Sequence, residues 1–207
     1  MLSPLPLFPL PTVVLFPNVY LPLHIFEPRY RQMVTDALAG DRMIGMVLLQ
    51  PGYEAEYERT PAIYAVGCAG LITHVERLAD GRFNIVLRGV ERFRIVAEDP
   101  PTPAVLYRRA LVEPLAERHA ASRERLREGR QRLEALVAPT LSGTLAERGL
   151  PAAMPDDELI NALAQYLELE PIEKQALLER DGPHARCQSL VELLEMKALT
   201  RGSGRVH

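Results

Sequence analysis

Prolines at positions 6, 9, 11, 17, 22 and 28 interrupt the stretch LPLFPLPTVVLFPNVYLPLHIFEPRYR, which is otherwise almost wholly apolar and carries no charge before Glu27. Proline has no N–H to give a ladder and breaks a helix interior, so in sheets it is confined to edge strands, strand starts and bulges. Residues 5–26 are therefore expected to form two or three short strands bent at their prolines. Strands of that kind suit a small, strongly curved barrel. The same prolines, with no basic residues ahead of them, argue against a signal peptide. No window approaches the ~18 apolar residues of a membrane span.

Pro28 suits the first turn of a helix, where the missing N–H costs nothing. Tyr30, Met33, Val34, Ala37 and Leu38 follow at helical spacing, and Gly40 is placed to cap the end. Residues 43–49, MIGMVLL, read as a buried strand, and 50–61 as a loop rich in Pro, Tyr and Glu. A longer strand over 63–78 carries Gly67 and Gly70, which mark a bulge or a close backbone approach. Asp80-Gly81 predicts a two-residue hairpin turn, followed by an alternating strand from Phe83 to Arg88. RFRIVAED and VLYRRALVE add two more strands. The first half thus reads as a curved, mostly antiparallel sheet with one inserted helix.

After Glu113 the period changes to that of helices. Leu126, Leu133, Leu136 and Val137 form one stripe in a segment over 117–138 that Pro139 ends. A second helix begins near 156 with Asp156 as a cap and Leu159, Ile160, Leu163 and Leu167 on one face. Pro171 opens a third, through about Arg180, and residues 185–200 make a fourth. The division expected is a barrel subdomain over 1–115, a helical subdomain over 116–200, and a frayed tail over 201–207.

The 24 basic and 27 acidic side chains leave a net charge of -3, and neither half is a basic module. That balance gives no reason to expect a nucleic acid or an anionic membrane as partner. Cys68 and Cys187 are too few for a disulfide framework or a thiolate zinc site, and the plain reading is a reducing cytoplasm. The only lysines are Lys174 and Lys197, and neither stands in a Gly-rich loop ending in GK[ST], so no P-loop is present. Each falls on an amphipathic helix, whereas a catalytic lysine must be desolvated.

Cys68 and His74 share strand parity, but six residues of strand hold them roughly 20 Å apart. Cys68 reads as a small buried hydrophobe between glycines. The histidines at 24, 74, 119, 184 and 207 show no metal-binding spacing. Glu54, Glu56 and Glu58 read as solvated carboxylates. The run from Arg118 to Arg132 mixes arginines with Glu117, Glu124 and Glu128 and reads as a solvated helix face. Arg29 and Arg31 break a local rule, because the first turn of a helix favours acids. Such departures are enriched at constrained or functional places, and pairing with Glu27 is the simpler account.

Taken in order, LPLFPLPTVVLFPNVYLPLHIFEPRYRQMVTDAL, IGMVLL, VGCAGLITHVERLADGRFNIVLRGVERFRI and LELEPIEKQALLE resemble the amino-terminal substrate-binding domain of the ATP-dependent Lon proteases. The resemblance covers about residues 5–200. It implies an α+β fold: a PUA-like, mostly antiparallel pseudo-barrel with one packed helix, followed by a helical bundle. It also implies a non-catalytic, free-standing recognition domain without the ATPase and Ser–Lys peptidase that follow it in Lon. No cofactor and no metal are expected.

The expected partners are unfolded or exposed protein segments and a separate ATPase or protease, in the cytoplasm. The surface where the β-strand containing Leu21 and Leu23 meets the helix containing Arg29, Tyr30 and Arg31 is the candidate protein-binding site, since aromatic and arginine anchors are enriched at interfaces. An RNA-binding PUA-like module and a small enzyme using Cys68 or His24 are the alternatives.

Overall fold

The computed structural model describes residues 4–56, 60–100, 102–117, 123–140 and 154–203. Glu58, Arg118, His119 and the tail from residue 204 lie outside them. The first proline-rich stretch forms two six-residue strands, β1 (Leu5–Leu10) and β2 (Tyr20–Ile25), and Pro28 opens helix α1 (Pro28–Ala39) as expected. Strands β3 (Met43–Leu48), β4 (Val66–Arg77), β5 (Phe83–Glu98) and β6 (Arg108–Leu115) complete one sheet. Its order is β2-β5-β4-β3-β1-β6, and a further β5–β6 pairing closes it. Among the described residues only β1 and β3 pair in parallel.

Closure depends on β5, which joins what the sequence suggested were two strands. Its first half pairs with β2 and its second with β6, while β4 follows both. Gly89, at the crossover, lies against the Phe16 carbonyl so closely that any Cβ there would overlap it. The chain bends at this point instead of ending. A bulge at Val90 of β5, opposite the Ala69–Gly70 step, and another at Thr73 of β4 add curvature to the β4–β5 pair.

The β4–β5 turn differs from the two-residue form. Gly81 N–H donates to Leu78 C=O, Leu78 N–H donates to Arg82 C=O, and Gly81 alone is left-handed at φ 82°. This is a three-residue loop of a type I turn closed by a left-handed glycine. Gly40 caps α1, but with φ -111° its freedom is not used, and the left-handed residue there is Arg42 at φ 66°.

Two apolar clusters result. Leu7, Val47, Ala69, Phe93 and Ala110 come from the five mutually paired strands and fill the barrel lumen. The larger cluster lies on the other face of the sheet, under α1, and continues into helices α2 (Arg123–Val137), α3 (Asp156–Tyr166), α4 (Pro171–Leu178) and α5 (Pro183–Ser203). Asp156 does not cap α3; Pro155 occupies the N-cap, and Asp156 pairs with Arg130 at 3.0 Å. Arg130 is itself 8% exposed and also pairs with Glu134, so this part of the arginine run is a buried tie between α2 and α3 rather than a solvated face.

Polar groups join barrel and bundle. Gln165 of α3 accepts from Phe16 N–H, Asn161 donates to Pro17 C=O, and Gln175 of α4 donates to Val66 C=O. Arg186 of α5, wholly buried, donates to Asn161 at 2.6 Å, to Glu117 at 3.0 Å and to Leu177 C=O at 3.2 Å. Arg92 of β5 shares Glu117 at 2.8 Å and donates to the Leu178 and Arg180 carbonyls that end α4. Two buried guanidiniums around one carboxylate thus fix the bundle on the barrel.

Candidate protein-binding surface

Proline and tyrosine, prominent in the sequence, converge on one side of the molecule. A recess of about 200 Å³ is lined by Pro11, Leu48, Leu49, Tyr53, Tyr64 and Ile172. Leu48 and Leu49 form its floor at 3% exposure, and Ile172 of α4 stands on its rim at 51%. The lining carries almost no polar surface. Pro171 sets α4 at this place because its fixed φ suits a first turn, and a Glu170–Glu173 capping box holds that turn.

A second, smaller recess of about 60 Å³ shares Leu49 and runs on between Arg29, Pro61, Leu106 and Tyr107. The Leu106 segment is pinned to α1 by Gln32, which donates to Ala104 C=O at 2.8 Å and accepts from Leu106 N–H at 2.8 Å. Tyr107 donates to Asp36 at 2.9 Å, and burial, helped by that carboxylate, pushes its hydroxyl up to about 12. It therefore remains a neutral donor across the physiological range.

The five residues singled out from the sequence fall in different settings. Tyr30 is 4% exposed, packs on Phe8 at 4.4 Å and is a core residue, so its ring is not a surface anchor. Leu21 and Leu23 are half-buried against the core on the inner face of β2. The outward face presents Tyr20, Pro22 and His24, and Phe26 just beyond the strand is 60% exposed. Arg29 pairs with Glu27 at 2.8 Å and lies over the Tyr30 ring, which explains a base in the first turn of α1. Arg31 lies against Gly81 of the β4–β5 turn.

The structure separates the groups weighed for catalysis. Cys68 is wholly buried, and desolvation pushes its thiol up to about 12, so it stays protonated near neutral pH. His74 is exposed, because the extra residue Thr73 in β4 breaks the alternation that placed Cys68 and His74 on one side. His24 is exposed and held between Asn84 and Arg82. Lys197 is paired with Glu173, and Lys174 donates to Gln165 C=O. Among the described residues no three His, Cys, Asp or Glu side chains gather to hold a metal, and no helix is long and apolar enough to cross a membrane.

Sequence reasoning missed the recess, although its parts were visible. Loop 50–61 is rich in Pro, Tyr and Glu, and Pro171 suits a helix start. Nothing in their spacing brings together positions more than a hundred residues apart.

A PUA-like pseudo-barrel carrying a helical bundle, with one apolar recess and a smaller, more polar one on its flank, defines the class as a barrel-and-bundle domain. Comparison with known proteins then gives the family. The sequence profile of the ATP-dependent protease La (LON) substrate-binding domain matches residues 4–196, and the chain belongs to that family. It is 32% identical over 198 residues to a Lon protease of Trichlorobacter lovleyi, covering 92% of this chain and 23% of that protein. It is 33% identical over 180 residues to Lon protease 2 of Syntrophobacter fumaroxidans, covering 84% of this chain and 22% of that protein. The chain thus spans less than a quarter of these curated relatives.

Among solved structures, the Lon N-terminal domain protein from Xanthomonas campestris aligns at a TM-score of 0.62 with 26% identity, over 92% of this chain and 98% of that one. The N-terminal domain of the Mycobacterium avium complex Lon protease aligns at 0.67, over 93% and 98%, and at 19% identity supports the fold alone. The family's domain is the substrate-binding, non-catalytic one.

Proposed function

We propose that this chain binds exposed apolar segments of other proteins and acts as an adaptor or quality-control factor that presents them to an ATP-dependent protease. The observation that carries this reading is the apolar recess of about 200 Å³, which shares Leu49 with a smaller recess edged by Arg29 and Arg108, in a domain whose family is defined by substrate binding. Fixed prolines and tyrosines contact apolar side chains at little entropic cost, since neither has much rotamer freedom to lose. The recess of about 200 Å³ admits one large side chain, so affinity is built from several weak contacts along an extended segment. Of the residues singled out from the sequence, Arg29 lines the smaller recess.

Titrating the whole chain with a permanently unfolded probe, reduced and carboxymethylated α-lactalbumin, tests this. Binding is expected, with Ile172→Glu and Leu106→Glu each weakening it several-fold. Equal affinity for the native and the unfolded forms of that protein, or selective retention of RNA, would replace the reading.

A further inference from the structure

Among the described residues each strand of the closed ring β5-β4-β3-β1-β6 has at least two neighbours, whereas β2 has β5 alone. The direction of its backbone groups follows from the bonds at its start. Asn18 N–H donates to Gly89 C=O, and Gly89 N–H donates to Val19 C=O. The groups of Val19, and by alternation those of Leu21, Leu23 and Ile25, therefore face β5. Those of Tyr20, Pro22 and His24 face away. Two further bonds agree: Tyr20 C=O accepts from Tyr166 Oη at 2.6 Å outside the sheet, and Val86, opposite Pro22, offers its C=O to Thr73 Oγ1 at 3.1 Å on the β4 side.

The Tyr20 carbonyl is thus taken up by α3, and the edge is open beyond it. Among the described residues nothing bonds to Pro22 C=O, His24 N–H or His24 C=O. Tyr20 at 52% exposure, Phe26 at 60% and Tyr166 at 63% flank that opening. A helix cannot satisfy it, because its own backbone is internally bonded. A phosphate would meet two acceptors for one donor. An extended peptide matches: its N–H and C=O pair with His24, a second N–H reaches Pro22 C=O, and its alternate side chains meet the exposed aromatics.

Pro22 also shapes the outcome. With no N–H it shortens the ladder, the usual device by which an edge is kept from pairing indefinitely with copies of itself. Three hydrogen bonds remain, enough for reversible capture.

Resting on the reading above, we propose that the β2 edge from Pro22 to Phe26 captures client proteins by strand addition, taking an extended segment with apolar residues at alternate positions. The test uses the whole chain and the same carboxymethylated α-lactalbumin. Because His24 N–H faces away from β5, His24→Pro removes a client bond without removing a ladder bond, and His24→Ala accounts for the side chain. We expect His24→Pro to bind about ten-fold more weakly than His24→Ala, and the His24 amide of the unaltered chain to gain hydrogen-exchange protection when the probe is added.

Equal affinity of the two variants with no gain in protection, while Ile172→Glu still weakens binding several-fold, overturns strand addition and leaves the protein-binding reading intact. No binding by the unaltered chain overturns both. Protection that rises with protein concentration before any probe is added assigns the edge to a second copy and overturns the proposal. Should His24→Pro fail to fold, the exchange result decides alone.

Discussion

Arg186→Met probes how barrel and bundle are held together. The wild-type guanidinium, wholly buried, bonds Glu117, Asn161 and Leu177 C=O. Burial lowers its pKa, and the adjacent Glu117 carboxylate raises it in turn. Methionine keeps much of the aliphatic stem but none of the donors. Glu117 retains Arg92 at 2.8 Å, so its charge stays paired. Asn161 Oδ1 and Leu177 C=O lose the partner Arg186 gave them, at about 1–3 kcal/mol each. Relief from burying a cation offsets part of this. The net expected loss is about 3 kcal/mol, or a fall of about 1 M in the urea midpoint at a slope near 2.5 kcal/mol per M.

Arg186→Lys should recover little, since a single ammonium cannot reach three acceptors in different directions. Because the larger apolar cluster runs through both halves, wild-type fluorescence and far-ultraviolet circular dichroism should report one coincident transition. A loss below about 1 kcal/mol in Arg186→Met, or two separated transitions in the wild type, would refute the account of a polar seam fastening one continuous core.

Gly89→Ala should cost about 3 kcal/mol, at the upper end for overpacking, because the new Cβ meets the Phe16 backbone rather than a side chain able to rotate; thermal melts would show it. Tyr107, with a folded pKa of about 12 against an ordinary 10.0, stabilises the neutral form of the fold. That contribution is complete below pH 10 and is lost as pH rises toward 12, so Tyr107→Phe should flatten the stability profile in that window. Cys68 and Cys187, pushed up to about 12 and about 11 by burial, should resist thiol reagents at pH 8 in the native protein and both react in guanidinium.

Much of the fold is written locally. Pro11 and Pro17 fall between the two short strands of the first stretch while Pro6, Pro9 and Pro22 lie within them, the period change after Glu113 marks the helices, and Pro28 and Pro171 open their helices. These signals survive because each acts on its own backbone: a missing N–H, a fixed φ, or a stripe of apolar side chains. Gly67 and Gly70 likewise announced close approach, and both lie against neighbours on which a Cβ would press. The inserted helix and the curved antiparallel sheet followed from the same reasoning.

What only the tertiary structure decided depends on partners distant in sequence. Alternation gives β2 two faces, but the packing of α1 and the barrel determines that Leu21 and Leu23 turn inward while Tyr20 and His24 turn out. Tyr30, expected as an interface anchor, is buried, and so is Arg186, because Glu117, Asn161 and Leu177 converge on it from separate elements. The recess joins residues from either end of the chain in the same way. A residue's type and spacing fix what its side chain can do, and the cost of burying charge or apolar surface is settled only by what long-range packing places against it.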